Sequence, residues 1–235
     1  MMKYLLVCDL DDTLTGDKDG IEVFNELVLS EKKKFYLVYS SGRFKNSMMS
    51  LLERERLIQP DSIISNVGTE IYYAPNRNIC KEWEEIIGKN WAKTKERVFS
   101  ILDKFDLQPQ PYEKRFVISY YVENGAIVEE IKKMLQGLEV KIVWTKNQCL
   151  DIIPKNAGKG NAAKFISNKL SLPIIGCGDS ENDVDMLEKS KYGILVGNAS
   201  NNLKKKLSKH SNIFIAKSSY AKGVIEGLKF YGIIN

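Results

Sequence analysis

The sequence predicts an α/β fold: a parallel sheet with helices on both faces, built from residues 1–77 and 156–235, with an inserted α+β unit over residues 78–155. Three observations predict it. Short apolar runs alternate with stretches of helical spacing up to Tyr73 and again from Asn156, an order that implies parallel strands joined by right-handed crossovers. Between those stretches the order changes to helix, strand, helix and paired strands. Three of the apolar runs break abruptly into polar clusters, at Asp9, Ser41 and Asp179. Open α/β sheets bind ligands outside the carboxyl ends of their strands, so the clusters stand where chemistry is expected.

The first strand, residues 4–8, is apolar and partly β-branched or aromatic, which suits burial on both faces. It runs straight into Asp9, Asp11 and Asp12. Side chains alternate along an extended chain, so Asp9 and Asp11 start on the same side. Their like charges call for a cation, a shared proton, or both. Taken alone, the stretch also reads as a solvated acidic turn after an edge strand. Residues 16–20 form a polar loop, and Ile21, Phe24, Leu27 and Val28 then recur at helical spacing. Residues 35–39 form a second strand that breaks into Ser40, Ser41, Gly42 and Arg43. A helix carrying Met48, Leu51 and Leu52 follows, then a short strand at Ile63 and Ile64, then a turn into a strand ending at Tyr73.

Residues 74–78 are turn-rich. Residues 81–105 read as one helical segment with Trp83, Ile87, Trp91, Val98 and Leu102 on its apolar side, ended by Pro109 and Pro111. Residues 116–122 are strand, Asn124-Gly125 is a turn, and Ile127, Ile131, Met134, Leu135 and Leu138 mark a helix. Strands at 140–144 and 150–153 are joined through Lys146, Asn147 and Gln148, a turn placed to reach across the site. Lys159 then opens a helix reaching Leu170, and a strand at 173–177 breaks into Gly178, Asp179, Ser180, Glu181, Asn182 and Asp183. A helix through Val184 and Leu187, a strand at 192–196, a helix through Leu203 and Leu207, a strand at 213–215 and a helix at 221–231 complete the pattern.

Composition bounds the function. Hydrophobic residues make up 43% and charged residues 28%, ordinary values for a globular chain. The net charge of +5 is too mild to imply nucleic acid, and Lys204, Lys205, Lys206 and Lys209 read as a solvated helix face. No apolar run approaches the ~20 residues of a membrane span. Four cysteines without a short Cys-x-x-Cys spacing, beside a single histidine, argue against a zinc site and for a reduced, cytoplasmic chain. The expected partner is a small molecule, with no nucleic acid and no membrane, and the expected state is a monomer or weak dimer.

The polar clusters combine three or four carboxylates with the Ser41 hydroxyl and the Lys159 ammonium, the latter at a helix start whose amides also favour an anion. Carboxylates suit a hard, oxygen-seeking cation, Mg²⁺ first. The hydroxyl and ammonium suit phosphate oxygens. No histidine or cysteine stands out as base or nucleophile, and His210 lies in a polar stretch. A carboxylate nucleophile forming an aspartyl-phosphate is the natural assignment.

Asp9-Leu-Asp11-Asp12-Thr13-Leu14, Ser41-Gly42-Arg43, Lys159 and Gly178-Asp179-Ser180-Glu181-Asn182-Asp183 resemble, in order and spacing, the four motifs of the haloacid dehalogenase superfamily of phosphatases. The resemblance implies a Rossmann-like core, and the inserted unit is similar to that superfamily's larger α+β cap (type C2B). More narrowly, Tyr39-Ser40-Ser41-Gly42-Arg43, Asn66-Val67-Gly68-Thr69-Glu70-Ile71-Tyr72, Ile118-Ser119-Tyr120 and Lys159-Gly160-Asn161-Ala162 resemble the sucrose-phosphate phosphatase group. It implies hydrolysis of a sugar phosphate monoester, sucrose-6-phosphate or a related glycosyl-phosphate. Asp9 would attack phosphorus, and Asp11 would protonate the leaving oxygen and then deprotonate water. Asp9, the Asp11 backbone carbonyl, Asp179 and Asp183 would hold Mg²⁺, while Ser41, Gly42 and Lys159 would grip the phosphoryl group. The chain departs from that group at Val117, where the group has a lysine, and at Gln148 and Cys149, where it has a lysine and an acid. Those are sugar-reading positions, so the departures leave the glycosyl unit open.

Other residues carry two readings. Arg43 meets substrate or makes a salt bridge under its loop. Asn182 orients Asp11 or Asp183, touches a sugar hydroxyl, or only starts a helix. Asp12 caps its turn. Trp83, Trp91 and Trp144 belong to the cap core, or one of them stacks on sugar. Two alternatives use similar groups: a phosphomutase of the same superfamily, and a receiver-like phosphorylation switch. Receivers are usually a single small domain with the phosphorylated acid on the third strand, here the strand ending near Ser65 and Asn66.

Overall fold

The structure, a computed structural model, describes residues 2–111, 114–145 and 147–235. In chain order the elements are β1 (Tyr4–Asp9), α1 (Lys18–Ser30), β2 (Phe35–Ser40), α2 (Lys45–Arg54), β3 (Ser62–Ser65), β4 (Glu70–Tyr73) and β5 (Asn78–Ile79). Next come α3 (Lys81–Gly88), α4 (Trp91–Leu102), β6 (Gln108–Pro109), β7 (Ile118–Tyr121), α5 (Gly125–Met134), β8 (Val140–Thr145) and β9 (Cys149–Pro154). The chain continues through α6 (Lys159–Leu170), β10 (Ile174–Gly178), α7 (Val184–Lys189), β11 (Tyr192–Leu195), α8 (Asn201–Leu207), β12 (Ile213–Ile215) and α9 (Tyr220–Phe230).

The larger sheet runs β12-β11-β10-β1-β2-β3-β4-β5. It is parallel from β12 to β3, and β4 and β5 are added antiparallel. The α/β fold class is therefore as expected, with the two short antiparallel strands as additions. Strand β1 lies at the centre, and its side chains alternate between two apolar clusters. Leu5 and Val7 join α3, α6 and α7 through Trp83, Ala162, Ile166 and Met186. Leu6 and Cys8 join α1, α2 and α9 through Phe24, Leu51 and Leu228. Both faces are covered, which is why this strand carries no polar alternation.

The smaller sheet, β6-β7-β9-β8, is antiparallel throughout. The expected single helix over 81–105 is two helices, α3 and α4, broken at Asn90, whose φ of 63° is left-handed. Periodicity sees the shared apolar face and misses the break. Asn124 and Gly125, expected as a turn, instead open α5: the Asn124 side chain accepts from the Ala126 N–H as its cap. No helix of the described residues is long and apolar enough to cross a membrane.

Candidate active site

The chain leaves β1 for β2 and β3 on one side and returns as β10 on the other. Neighbouring strands thus diverge in connection between β1 and β10, and ligands bind in the crevice at such a switch point. Asp9 ends β1, and Asp179 follows directly on β10. One carboxylate oxygen from each of Asp9, Asp179 and Asp183 lies within 4.8 Å of the others, all three residues being buried.

Lys159 is the counter-charge. It is the first residue of α6 and is 1% exposed. Its Nζ donates to Asp9 Oδ1 at 2.6 Å, Asp183 Oδ1 at 2.7 Å and Asn182 Oδ1 at 3.0 Å. Burial alone would lower the pKa of this ammonium, but the Asp183 and Asp9 carboxylates outweigh burial and hold it above its ordinary value. Burial pushes the Asp9 carboxyl up, against the pull of Lys159, and Asp183 and Asp179 add to the push. Three buried carboxylates against one ammonium leave negative charge in excess. An all-oxygen set with that excess fits a hard divalent cation.

Other groups fix this cluster. Thr13 Oγ1 donates to Asp179 Oδ1 at 3.0 Å. Asp183 Oδ2 accepts the N–H groups of Asp179 and Ser180, each at 3.2 Å. Asp185, at the start of α7, accepts the Gly160 N–H at 3.3 Å, placing an acid at the amino end of the helix that carries Lys159. Gly68, at φ 87°, lets the turn after β3 press on the backbone of Gly158 and Lys159; a Cβ there would collide with it.

A cleft of about 360 Å³ opens on the cluster. Asp9, Asp11, Ser41, Gly42, Arg43 and Asn182 line its floor. Arg43 takes the salt-bridge reading: Nε and Nη2 each donate to Asp11 at 2.7 Å, and Nη1 donates to Ser47. The Asp11 side chain points to this fork, and the three-acid cluster is formed without it. Hydrogen bonding to Asp11 raises the Arg43 pKa. Ser41 Oγ accepts the Arg43 N–H at 3.1 Å. Asn182 accepts from Lys159 and from Ser180 Oγ, both at 3.0 Å, and among the described residues makes no hydrogen bond with Asp11 or Asp183. Asp12, at φ 62°, also lines the cleft.

The opposite wall comes from the smaller sheet: Gln110, Lys114, Thr145, Cys149 and Asp151. Sequence reasoning missed four of these five, Cys149 being the exception. Asp151 had a signal related to that of Asp9, an acid within an apolar strand where Asp9 ends one. Val117 is 4% exposed within the apolar core, and Gln148 is exposed and outside the cleft lining. Lys146, expected in the turn that reaches across, lies outside the described residues. Trp83 and Trp91 are buried, and Trp144 packs against the same cluster, as expected of core residues.

The comparisons with known proteins converge. The sucrose-6F-phosphate phosphohydrolase family matches residues 2–232. A probable sucrose-phosphatase of Arabidopsis thaliana is 30% identical over 96% of this chain, and the chain spans 59% of that relative's length. The mannosylfructose-phosphate phosphatase of Agrobacterium fabrum is 30% identical, with 97% of each chain covered. The solved sucrose-phosphatase of Synechocystis, in complex with sucrose and phosphate, superposes with a TM-score of 0.92 at 28% identity, covering 99% of both chains. A haloacid dehalogenase-like hydrolase of Bacillus subtilis shares the fold, with a TM-score of 0.74 at 23% identity over 100% of this chain and 93% of that one.

Proposed function

Because this chain belongs to the sucrose-6F-phosphate phosphohydrolase family, we propose that it hydrolyses a sugar phosphate monoester through an aspartyl-phosphate on Asp9. The observation that carries the reading is the buried group of Asp9, Asp179 and Asp183 gathered on Lys159 at the switch point of the sheet. Residues 1–77 and 156–235 serve as the catalytic core, and residues 78–155 as the cap over the cleft.

Asp9 attacks phosphorus in line with the leaving sugar oxygen. Lys159, already within hydrogen-bond reach of Asp9, holds a phosphoryl oxygen beside the nucleophile, with Ser41 and the backbone of Gly42 opposite. Asp11 gives its proton to the leaving oxygen and takes one from the water that opens the acyl-phosphate. The Arg43 fork holds Asp11 as a carboxylate before substrate arrives. Its turn as an acid therefore requires that fork to open and a proton to enter with the substrate. Asp9, Asp179, Asp183 and the Asp11 backbone carbonyl would hold Mg²⁺, which offsets repulsion between the Asp9 carboxylate and the phosphate dianion. General acid–base help supplies only ~10²–10⁴ in rate, so positioning and charge stabilisation supply most of the acceleration.

Two measurements test this. The purified chain should release phosphate from at least one member of a sugar phosphate panel with Mg²⁺ present, and EDTA should abolish release. No release from any member sinks the proposal. Asp9→Asn should abolish turnover while a sugar phosphate still binds, read by calorimetry; substantial residual turnover would reject Asp9 as nucleophile.

A further inference from the structure

Two further loops converge on the acid-tipped turn that follows β1, and one side chain joins them to it. Asn198 lies between β11 and α8. Its Nδ2 donates to the Asp12 carbonyl at 2.7 Å, and its Oδ1 accepts the Tyr220 N–H at 2.9 Å. Asp12 and Tyr220 both have left-handed backbones, at φ 62° and 55°. A residue with a side chain holds that conformation at a cost, and keeps it where its surroundings fix it. Here the two ends of a single amide do so. Asn198 sits on a loop that is fixed in its turn. The Gly197 N–H donates to the Ser218 carbonyl at 2.7 Å, and the Val196 N–H donates to the Gly178 carbonyl, directly before Asp179, at 3.1 Å. The turn after β1 is wound on the Leu10 carbonyl, which accepts the Leu14 and Thr15 N–H groups at 3.0 and 2.9 Å. Its far end packs on the Tyr220 ring, which a Cβ on Gly16 would strike.

We propose that Asn198 is a positioning residue for the divalent cation: by holding the Asp12 carbonyl it sets the direction of the Asp11 carbonyl and the reach of Thr13. The inference rests on the metal-assisted phosphatase reading above. The Asp11 carbonyl belongs to the planar peptide that joins Asp11 to Asp12, and the Asp12 carbonyl belongs to the next one. Only the φ and ψ of Asp12 relate the two planes, so an anchor on the second fixes the first. The same anchor holds Thr13, whose hydroxyl donates to Asp179 Oδ1 at 3.0 Å. Lys159 does not perform this task, since its ammonium bonds Asp9, Asn182 and Asp183. Lys159 gathers the carboxylates, and Asn198 orients the backbone oxygen that joins them. Mg²⁺ demands near-ideal octahedral geometry, so a carbonyl swung out of line weakens its binding.

The test titrates Mg²⁺ alone into the metal-free chain by calorimetry, with no substrate present and below the melting temperature recorded in EDTA. Asn198→Asp keeps an acceptor for the Tyr220 N–H and removes the donor to Asp12; Asn198→Ala removes both. Losing this outer hydrogen bond should raise the Mg²⁺ Kd about tenfold in both variants. The added carboxylate of Asn198→Asp would by charge alone lower that Kd, so a rise in this variant reports position. A purely structural Asn198 would lower the Tm in EDTA and leave the Kd of either variant within twofold of the parent's, and that result overturns the inference. A rise in Asn198→Ala without one in Asn198→Asp also overturns it, since the effect would then belong to the Tyr220 bond. A parent chain that binds no Mg²⁺ overturns this inference together with the metal part of the reading beneath it.

Discussion

At the scale of single residues, Lys159 decides more than any other side chain. It is a buried cation serving two carboxylates and an amide oxygen. Removing one member of such a group strands the others' charge, a loss of about 3–5 kcal/mol. Lys159→Met should lower unfolding free energy by that amount in EDTA, measured by urea denaturation, and should abolish turnover. A variant as stable as the parent would show that the carboxylates are not charged together. Much of this was legible in the sequence. Three acids ending an apolar strand announce an unmet charge, and the polar tips of two further strands supply candidates to meet it. The partnerships were not legible. Arg43 to Asp11, Asn182 to Lys159 and Thr13 to Asp179 depend on side-chain directions at strand ends, and those directions come from tertiary packing.

At the scale of elements, the site depends on close approach. The turn Asn66–Gly68 packs on the start of α6 because Gly68 has no Cβ. Gly68→Ala would meet both a left-handed φ and the Gly158–Lys159 backbone. It should destabilise by at least about 2 kcal/mol and lower kcat by displacing Lys159. Thermal melting and initial rates check the two halves of that expectation; a variant with the parent's Tm would mean that the turn yields cheaply. Elements themselves were read well where their period was long, as in α1 with Ile21, Phe24 and Val28. They were misread where one residue's backbone overrides the period, as Asn90 does between α3 and α4. The two-residue strands β5 and β6 are too short to leave any periodic trace.

At the scale of the molecule, an ion pair ties the smaller sheet to the helices of the larger one. Lys141 on β8 pairs with Asp185 on α7, the same acid that accepts from Gly160 beneath Lys159. The Lys141 pair is partly solvated, so about 0.5–1 kcal/mol is its expected worth. Lys141→Met should raise KM roughly two- to fivefold with a smaller change in kcat, and added salt should narrow the gap between variant and parent. Equal losses in kcat and kcat/KM would place Lys141 in the chemical step instead. The overall architecture was the most legible level of all, since alternating apolar runs leave few topologies open. The wall supplied by the smaller sheet was the least legible, because its polar residues are scattered among apolar neighbours and meet only across strands.

The return of β10 beside β1 has a consequence in time. Asp9 and Lys159 are separated by 150 positions. Asp9, the proposed nucleophile, leaves the ribosome ahead of its counter-charge, which follows only after the whole intervening unit has been translated. A fragment that ends before α6 thus carries the acidic tip without Lys159, and leaves β1 without its β10 neighbour. On the proposed mechanism, reactivity appears only once both halves of the larger sheet have closed on each other, and a chain broken off in translation exposes acid without its counter-charge.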